Sequence, residues 1–131
     1  MEKLHKYAMK TILLLDDDTT FVAHVKALLG SREYTVLSAS NGVEGLKILE
    51  TCTPDAILLD INMPLMNGLD FLKKANEKFG KGKIPVLITS NMEGMDKVSE
   101  GLELGIRGYI VKSKESLESL QLSIQNLFKG R

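Results

Sequence analysis

Short runs of Ile, Leu and Val alternate with longer amphipathic segments along this chain, and that rhythm leaves few folds open to it. A strand buried on both faces reads as a near-continuous apolar run, whereas a helix lying on a sheet shows apolar residues every three or four positions. The strand candidates are Thr11 to Leu15, Tyr34 to Ser38, Ala56 to Leu59, Pro85 to Thr89 and Gly108 to Val111. The first and third are nearly all apolar and read as central strands, while Tyr-Thr-Val-Leu-Ser alternates as an edge strand does. Helical spacing is clearest in Phe21, Val22, Val25, Leu28 and Leu29, followed by Gly30 as a stop signal. It recurs in Val43, Leu46 and Leu49, in Leu69, Leu72, Ala75 and Phe79, in Met95, Val98 and Leu102, and in Leu117, Leu120, Ile124 and Leu127. The fourth of these is the least regular. Asn41-Gly42, Asn67-Gly68 and Phe79-Gly80-Lys81-Gly82 punctuate the joins. The expected architecture is a single α/β domain of five βα units, a doubly wound parallel sheet with helices on both faces.

A length of 131 residues suits one core of this kind and is short for two. Seventeen basic residues balance 17 acidic ones, so neither nucleic acid nor a membrane is favoured as a partner. Nothing approaches a transmembrane run, and Met1 to Lys10 carry no apolar stretch like the core of a secretory signal, so a cytoplasmic location is expected. Cys52 is the lone cysteine, which excludes a disulfide framework and a thiolate metal site. His5 and His24 have no ligand partner at helical spacing and read as surface or boundary residues. Lys73, Lys74, Lys78, Lys81 and Lys83 read as a solvated face, and Met63, Met66, Met92 and Met95 as loop and core packing.

Ligands of open parallel α/β sheets bind beyond the carboxyl ends of the strands. There the first strand runs into Asp16, Asp17 and Asp18, and the third into Asp60. Carboxylates converging on one edge repel and raise each other's pKa unless a cation sits among them, which makes Mg²⁺ the natural candidate. Read more plainly, the first cluster ends a strand and caps a helix, with Asp18 or Thr19 as the N-cap. Capping does not account for Asp60, nor for the hydroxyl of Ser90 and the amine of Lys112 that later strand ends add. A carboxylate nucleophile, a metal site, a hydroxyl and a lysine together suit phosphoryl chemistry.

Four ordered stretches carry a family likeness: Ile-Leu-Leu-Leu-Asp-Asp-Asp, Pro-Asp-Ala-Ile-Leu-Leu-Asp-Ile-Asn-Met-Pro-Leu-Met-Asn-Gly, Ile-Pro-Val-Leu-Ile-Thr-Ser and Gly-Tyr-Ile-Val-Lys. With them the chain resembles the receiver domain of bacterial two-component response regulators from about Lys10 to Phe128. The resemblance implies a flavodoxin-like strand order 2-1-3-4-5, with an extension over 1–9, the receiver over 10–128 and a tail over 129–131. It implies that Asp60 accepts a phosphoryl group, that Asp17 is a direct Mg²⁺ ligand and Asp16 a partner largely through water, and that the carbonyl of Asn62 is a further ligand. Ser90 becomes the switch hydroxyl by gapless spacing from Asp60 through Pro85 to Lys112, Lys112 the phosphate-binding amine, and Tyr109 the aromatic that changes rotamer on activation. For Tyr109 the plainer alternative is a buried ring with a wet hydroxyl. The implied partners are a sensor histidine kinase or phosphotransfer protein as donor and a downstream output domain or protein as reader.

The chain departs from that family's usual pattern in places. Asn91 stands where a small residue is common, Ser113 replaces a proline so that no cis bond is assumed, and Asn62 and Met92 fill positions that affect the life of the aspartyl phosphate. Two further readings compete. Asp16-Asp17-Asp18-Thr19-Thr20 fits the Asp-x-Asp-x-Thr pattern of haloacid-dehalogenase-like phosphatases, with Asp16 as nucleophile, but that reading leaves Asp60 idle and lacks a later acidic pair. A phosphate-independent interaction module would keep the fold alone. A flavodoxin-like cofactor protein is disfavoured because no Ser/Thr/Gly-rich loop follows the first strand.

Overall fold

The computed structural model describes residues 9–30, 33–91, 97–114 and 116–129. In chain order the elements are β1 (Lys10–Leu15), α1 (Thr19–Leu29), β2 (Tyr34–Ala39), α2 (Gly42–Thr51), β3 (Ala56–Leu59), α3 (Gly68–Phe79), β4 (Val86–Ser90), α4 (Val98–Glu103), β5 (Gly108–Val111) and α5 (Leu117–Lys129). All strands pair in parallel in the order β2-β1-β3-β4-β5. The expected doubly wound α/β fold and its strand order are therefore found, with β1 and β3 inside the sheet and β2 at an edge.

Alternation along the strands divides the core into two layers. Leu13, Leu15, Ile57, Leu59, Val86 and Ile88 pack with Leu49, Leu69, Phe71 and Leu72 of α2 and α3. Ile12, Leu14, Leu58, Leu87 and Ile110 pack on the other face with Val25, Leu29, Leu120, Ile124 and Leu127 of α1 and α5. Burial of a large aliphatic side chain is worth about 1.5–3 kcal/mol, and these central strands bury apolar groups on both faces, so their register is firmly set.

Side-chain caps start the helices where the acidic and amide residues stand. Asp18 accepts from the N–H groups of Thr20 and Phe21 at 3.0 and 3.1 Å, which decides between the two N-cap candidates for α1. Asn41 accepts from Glu44 N–H at 2.8 Å, and Asn67 from Asp70 N–H at 2.9 Å.

Some expectations are corrected. β4 runs one residue later than predicted, so Ser90 is its last residue and Pro85 precedes it. Val43 faces solvent, because α2 meets the sheet through Gly45 and Leu49, and a Cβ at Gly45 would press on Leu15 and Phe71. Leu102 is also outward, at 57% exposure; α4 instead lays Gly101 on Ile88 and Ile106. Met95 and Met92, like His5, lie outside the described residues. Among the described residues no helix is long and apolar enough to cross a membrane.

Candidate functional site

The backbone brings the two central strand ends together. Asp16 N–H donates to the carbonyl of Ala39 on β2 at 3.0 Å, and Asp60 N–H to that of Leu15 on β1 at 2.9 Å. Each residue thus continues the sheet's hydrogen bonding one step past its strand, with its side chain at the rim. Asp16, Asp17 and Asp60 each bring a carboxylate oxygen into a group whose members lie within 4.8 Å of one another. Asp16 and Asp60 are buried, and Asp17 faces solvent.

Lys112 supplies the cation. Its own N–H donates to Ser90 O at 2.7 Å, which ties the turn after β5 to the end of β4. Its ammonium donates to Asp16 Oδ2 at 2.8 Å and stands 3.7 Å from Asp60 Oδ2. The same nitrogen lies 4.8 Å from the centroid of the Phe21 ring. One ammonium does not neutralise three carboxylates, and the pKa values shift accordingly. Burial and the neighbouring Asp16 charge push Asp60 up to about 6 against the pull of Lys112. Burial also raises Asp16, opposed by its hydrogen bonds to Lys112 and to Asp18 N–H.

The hydrogen bonds separate the two buried carboxylates. Both oxygens of Asp16 are engaged, Oδ1 by Asp18 N–H at 3.0 Å and Oδ2 by Lys112. Among the described residues Asp60 is freer: its Oδ1 accepts from Asn62 N–H at 3.4 Å, and its Oδ2 stands 3.7 Å from the Lys112 ammonium. A shallow cleft lined by Asp16, Asp17, Thr19, Lys26, Ser40 and Glu44 opens beside the cluster. The donor set, carboxylate oxygens with solvent on one side, fits a hard divalent cation that keeps some of its waters.

Ser90 is buried and its hydroxyl donates to the Asn91 carbonyl at 2.9 Å. Thr89 beside it is fully buried, its hydroxyl without a partner among the described residues, as expected of a side chain turned into the sheet packing. Tyr109 pairs in register with Ile88 and is 46% exposed, so the alternative of a buried ring does not hold. His24 is exposed and Cys52 half-buried, both away from the cluster's membership. There is no cis peptide among the described residues, Lys112-Ser113 included. What sequence spacing passed over is Phe21: periodicity explains it fully as part of an apolar stripe, and only the folded chain sets its ring against Lys112.

Comparison with known proteins gives a consistent picture. The response regulator receiver domain profile matches residues 12–124. The nitrate/nitrite response regulator protein NarL of Escherichia coli (strain K12) is 42% identical over 113 residues, covering 85% of this chain and 51% of that protein. The alkaline phosphatase synthesis transcriptional regulatory protein PhoP of Bacillus subtilis (strain 168) is 38% identical over 104 residues, 79% of this chain and 42% of its own. The chain thus spans about half or less of the curated relatives it matches. Among solved structures, a CheY-like response regulator receiver domain protein from Methanospirillum hungatei JF-1 superimposes with a TM-score of 0.83 at 27% identity, covering 93% of this chain and 96% of that one. Chemotaxis response regulator CheY4 of Vibrio cholerae gives 0.82 at 28% identity, with 92% and 99% covered.

Proposed function

The chain belongs to the response regulator receiver domain family, and on that premise we propose that Asp60 is its phosphoryl acceptor in a Mg²⁺-dependent reaction. The observation that carries this reading is the contrast between the two buried carboxylates. Asp16 has both oxygens committed, whereas Asp60 keeps lone pairs free at the rim. With its pKa at about 6, Asp60 is mostly ionised at neutral pH and able to attack.

An Asp60 oxygen forms the new bond to phosphorus, while the bond from phosphorus to the donor's leaving group breaks and the leaving group departs with the electron pair. A phosphohistidine of a sensor kinase or phosphotransfer protein, or a small acyl phosphate, is the donor. Asp16, Asp17, Asp60 and the carbonyl of Asn62 would hold Mg²⁺, which when bound would supply positive charge to offset the phosphoryl oxygens. Lys112 adds a second cation from the carboxyl end of β5. Ser90 turns its hydroxyl from the Asn91 carbonyl to the phosphoryl group, and that movement, with Tyr109, biases a two-state equilibrium read by a downstream output domain or protein. The face expected to be read is formed by α4, β5 and α5 within the unit 10–128.

Intact mass after incubation with acetyl phosphate tests this. A single phosphoryl adduct is expected with Mg²⁺, absent without it and absent in Asp60→Asn. Transfer of the requirement to Asp16, with Asp60→Asn still labelled, would instead support the phosphatase-like chemistry. No adduct and no metal binding would leave a phosphate-independent interaction module.

A further inference from the structure

Nothing in the phosphoryl reading uses Phe21, yet its ring lies against the amine on which that reading depends. Lys112 sits past the end of β5 in a turn closed by Lys114 N–H on Val111 O at 2.9 Å. It is followed by Ser113, whose backbone has no ring to stiffen it. Its side chain has four rotatable bonds, so a single backbone tie to Ser90 does not decide where the ammonium points.

The surroundings supply the missing constraint. The ammonium hydrogen-bonds Asp16, stands near Asp60 and lies 4.8 Å from the Phe21 centroid. The ring is itself fixed. Phe21 N–H is held by the N-cap Asp18 at 3.1 Å, and the side chain packs against the cluster containing Leu14, Val25 and Ile110. An aromatic face attracts a cation through its quadrupole without accepting one of its strong hydrogen bonds. A third carboxylate in that place would compete with an incoming phosphoryl group, and water would leave the ammonium free to swing.

We propose that Phe21 is a positioning residue for Lys112, holding the ammonium over the carboxylates by a cation–π contact while leaving its remaining N–H donors for a phosphoryl group. The inference rests on the reading of Lys112 as the phosphate-binding amine. It also gives the acidic run a second role, since Asp18, by capping α1, sets the ring in place.

The test joins a geometric readout to a kinetic one. In the wild-type protein, NMR should find the ε-methylene protons of Lys112, identified by their loss in Lys112→Ala, shifted upfield by the ring and returned to ordinary values in Phe21→Leu. Phosphorylation by acetyl phosphate at saturating Mg²⁺ should slow by about three- to tenfold in Phe21→Leu, the size of one such contact, and by less than about twofold in Phe21→Tyr. In a Lys112→Ala background Phe21→Leu should have no further effect, which separates positioning of the cation from general packing. Equal slowing of the Lys112→Ala protein by Phe21→Leu, or ordinary shifts for Lys112 in the wild type, overturns the proposal. If the wild type gains no phosphoryl mass, the function proposed above fails, and the ring-current comparison still decides whether the ring holds Lys112. Should Phe21→Leu fold poorly, the wild type and Lys112→Ala suffice for that readout.

Discussion

The ammonium of Lys112 is 2.8 Å from Asp16 Oδ2 and 3.7 Å from Asp60 Oδ2, so one cation hydrogen-bonds the first carboxylate and only pairs loosely with the second. The site is thereby left with more negative charge than the protein's own groups offset, and most of that imbalance falls on Asp60.

In metal-free buffer the imbalance makes stability depend on pH. The folded pKa of Asp60, about 6, exceeds the ordinary value of 3.8, so the folded state holds this proton more tightly than the unfolded one. The contribution is complete below about pH 4 and is lost as pH rises through 6. Asp60→Asn removes the penalty. Chemical denaturation with chelator present should therefore show wild type and variant nearly equal at pH 4, and the variant more stable at pH 7.5 by up to about 3 kcal/mol. A constant difference across that range would refute the assignment.

Lys112→Met should act in the opposite direction. It leaves Asp16 and Asp60 buried without their cation, and breaking such a pair costs about 3–5 kcal/mol when the remaining charge cannot escape. Protonation offers an escape at low pH. The melting temperature should thus drop strongly at pH 7.5 and much less at pH 5, as differential scanning calorimetry in chelator would record.

Thr89 is fully buried and its hydroxyl has no partner among the described residues. An unsatisfied buried hydroxyl costs about 1–3 kcal/mol, and valine has nearly the same shape. Thr89→Val should raise stability by about 1 kcal/mol and leave the acetyl phosphate reaction unchanged. A loss of stability would mean that the hydroxyl finds a partner in solution.

Gly68 opens α3 with its N–H on the Ile61 carbonyl at 2.8 Å, and a Cβ there would collide with the backbone carbonyl of Asp60. Gly68→Ala must displace either α3 or Asp60, and should cost about 2 kcal/mol or more while slowing phosphorylation. Gly82 is the control. Its φ of 75° strains any side chain, but nothing lies within 4 Å of a Cβ, so Gly82→Ala should cost about 1 kcal/mol and leave the rate alone. Melting curves and labelling rates of the two variants decide it.

The two central strands were legible because burial on both faces demands unbroken apolar runs, and Ile-Leu-Leu-Leu and Ala-Ile-Leu-Leu supply them. The helix faces were legible only where large side chains do the covering. In α2 part of the contact is made by Gly45, beside Leu49, and in α4 by Gly101; neither glycine carries a hydrophobic signal, so Val43 and Leu102 were assigned inward and lie outward. The position of Ser90 at the end of β4 followed from spacing even though the strand was placed one residue early.

By itself, then, the sequence determined the class of fold, the edge on which the carboxylates gather and the candidate residues Asp16, Asp17, Asp60, Ser90 and Lys112. Those features depend on periodicity and on order along the chain, which are local. Which carboxylate keeps its lone pairs, how far Asp60 is pushed from its ordinary pKa, and that Phe21 lies against Lys112 were decided by tertiary structure alone. They depend on distances of a few ångströms between strand ends and a helix that are far apart in sequence, and on the exclusion of water between them, for which no local pattern of residues is a sufficient cause.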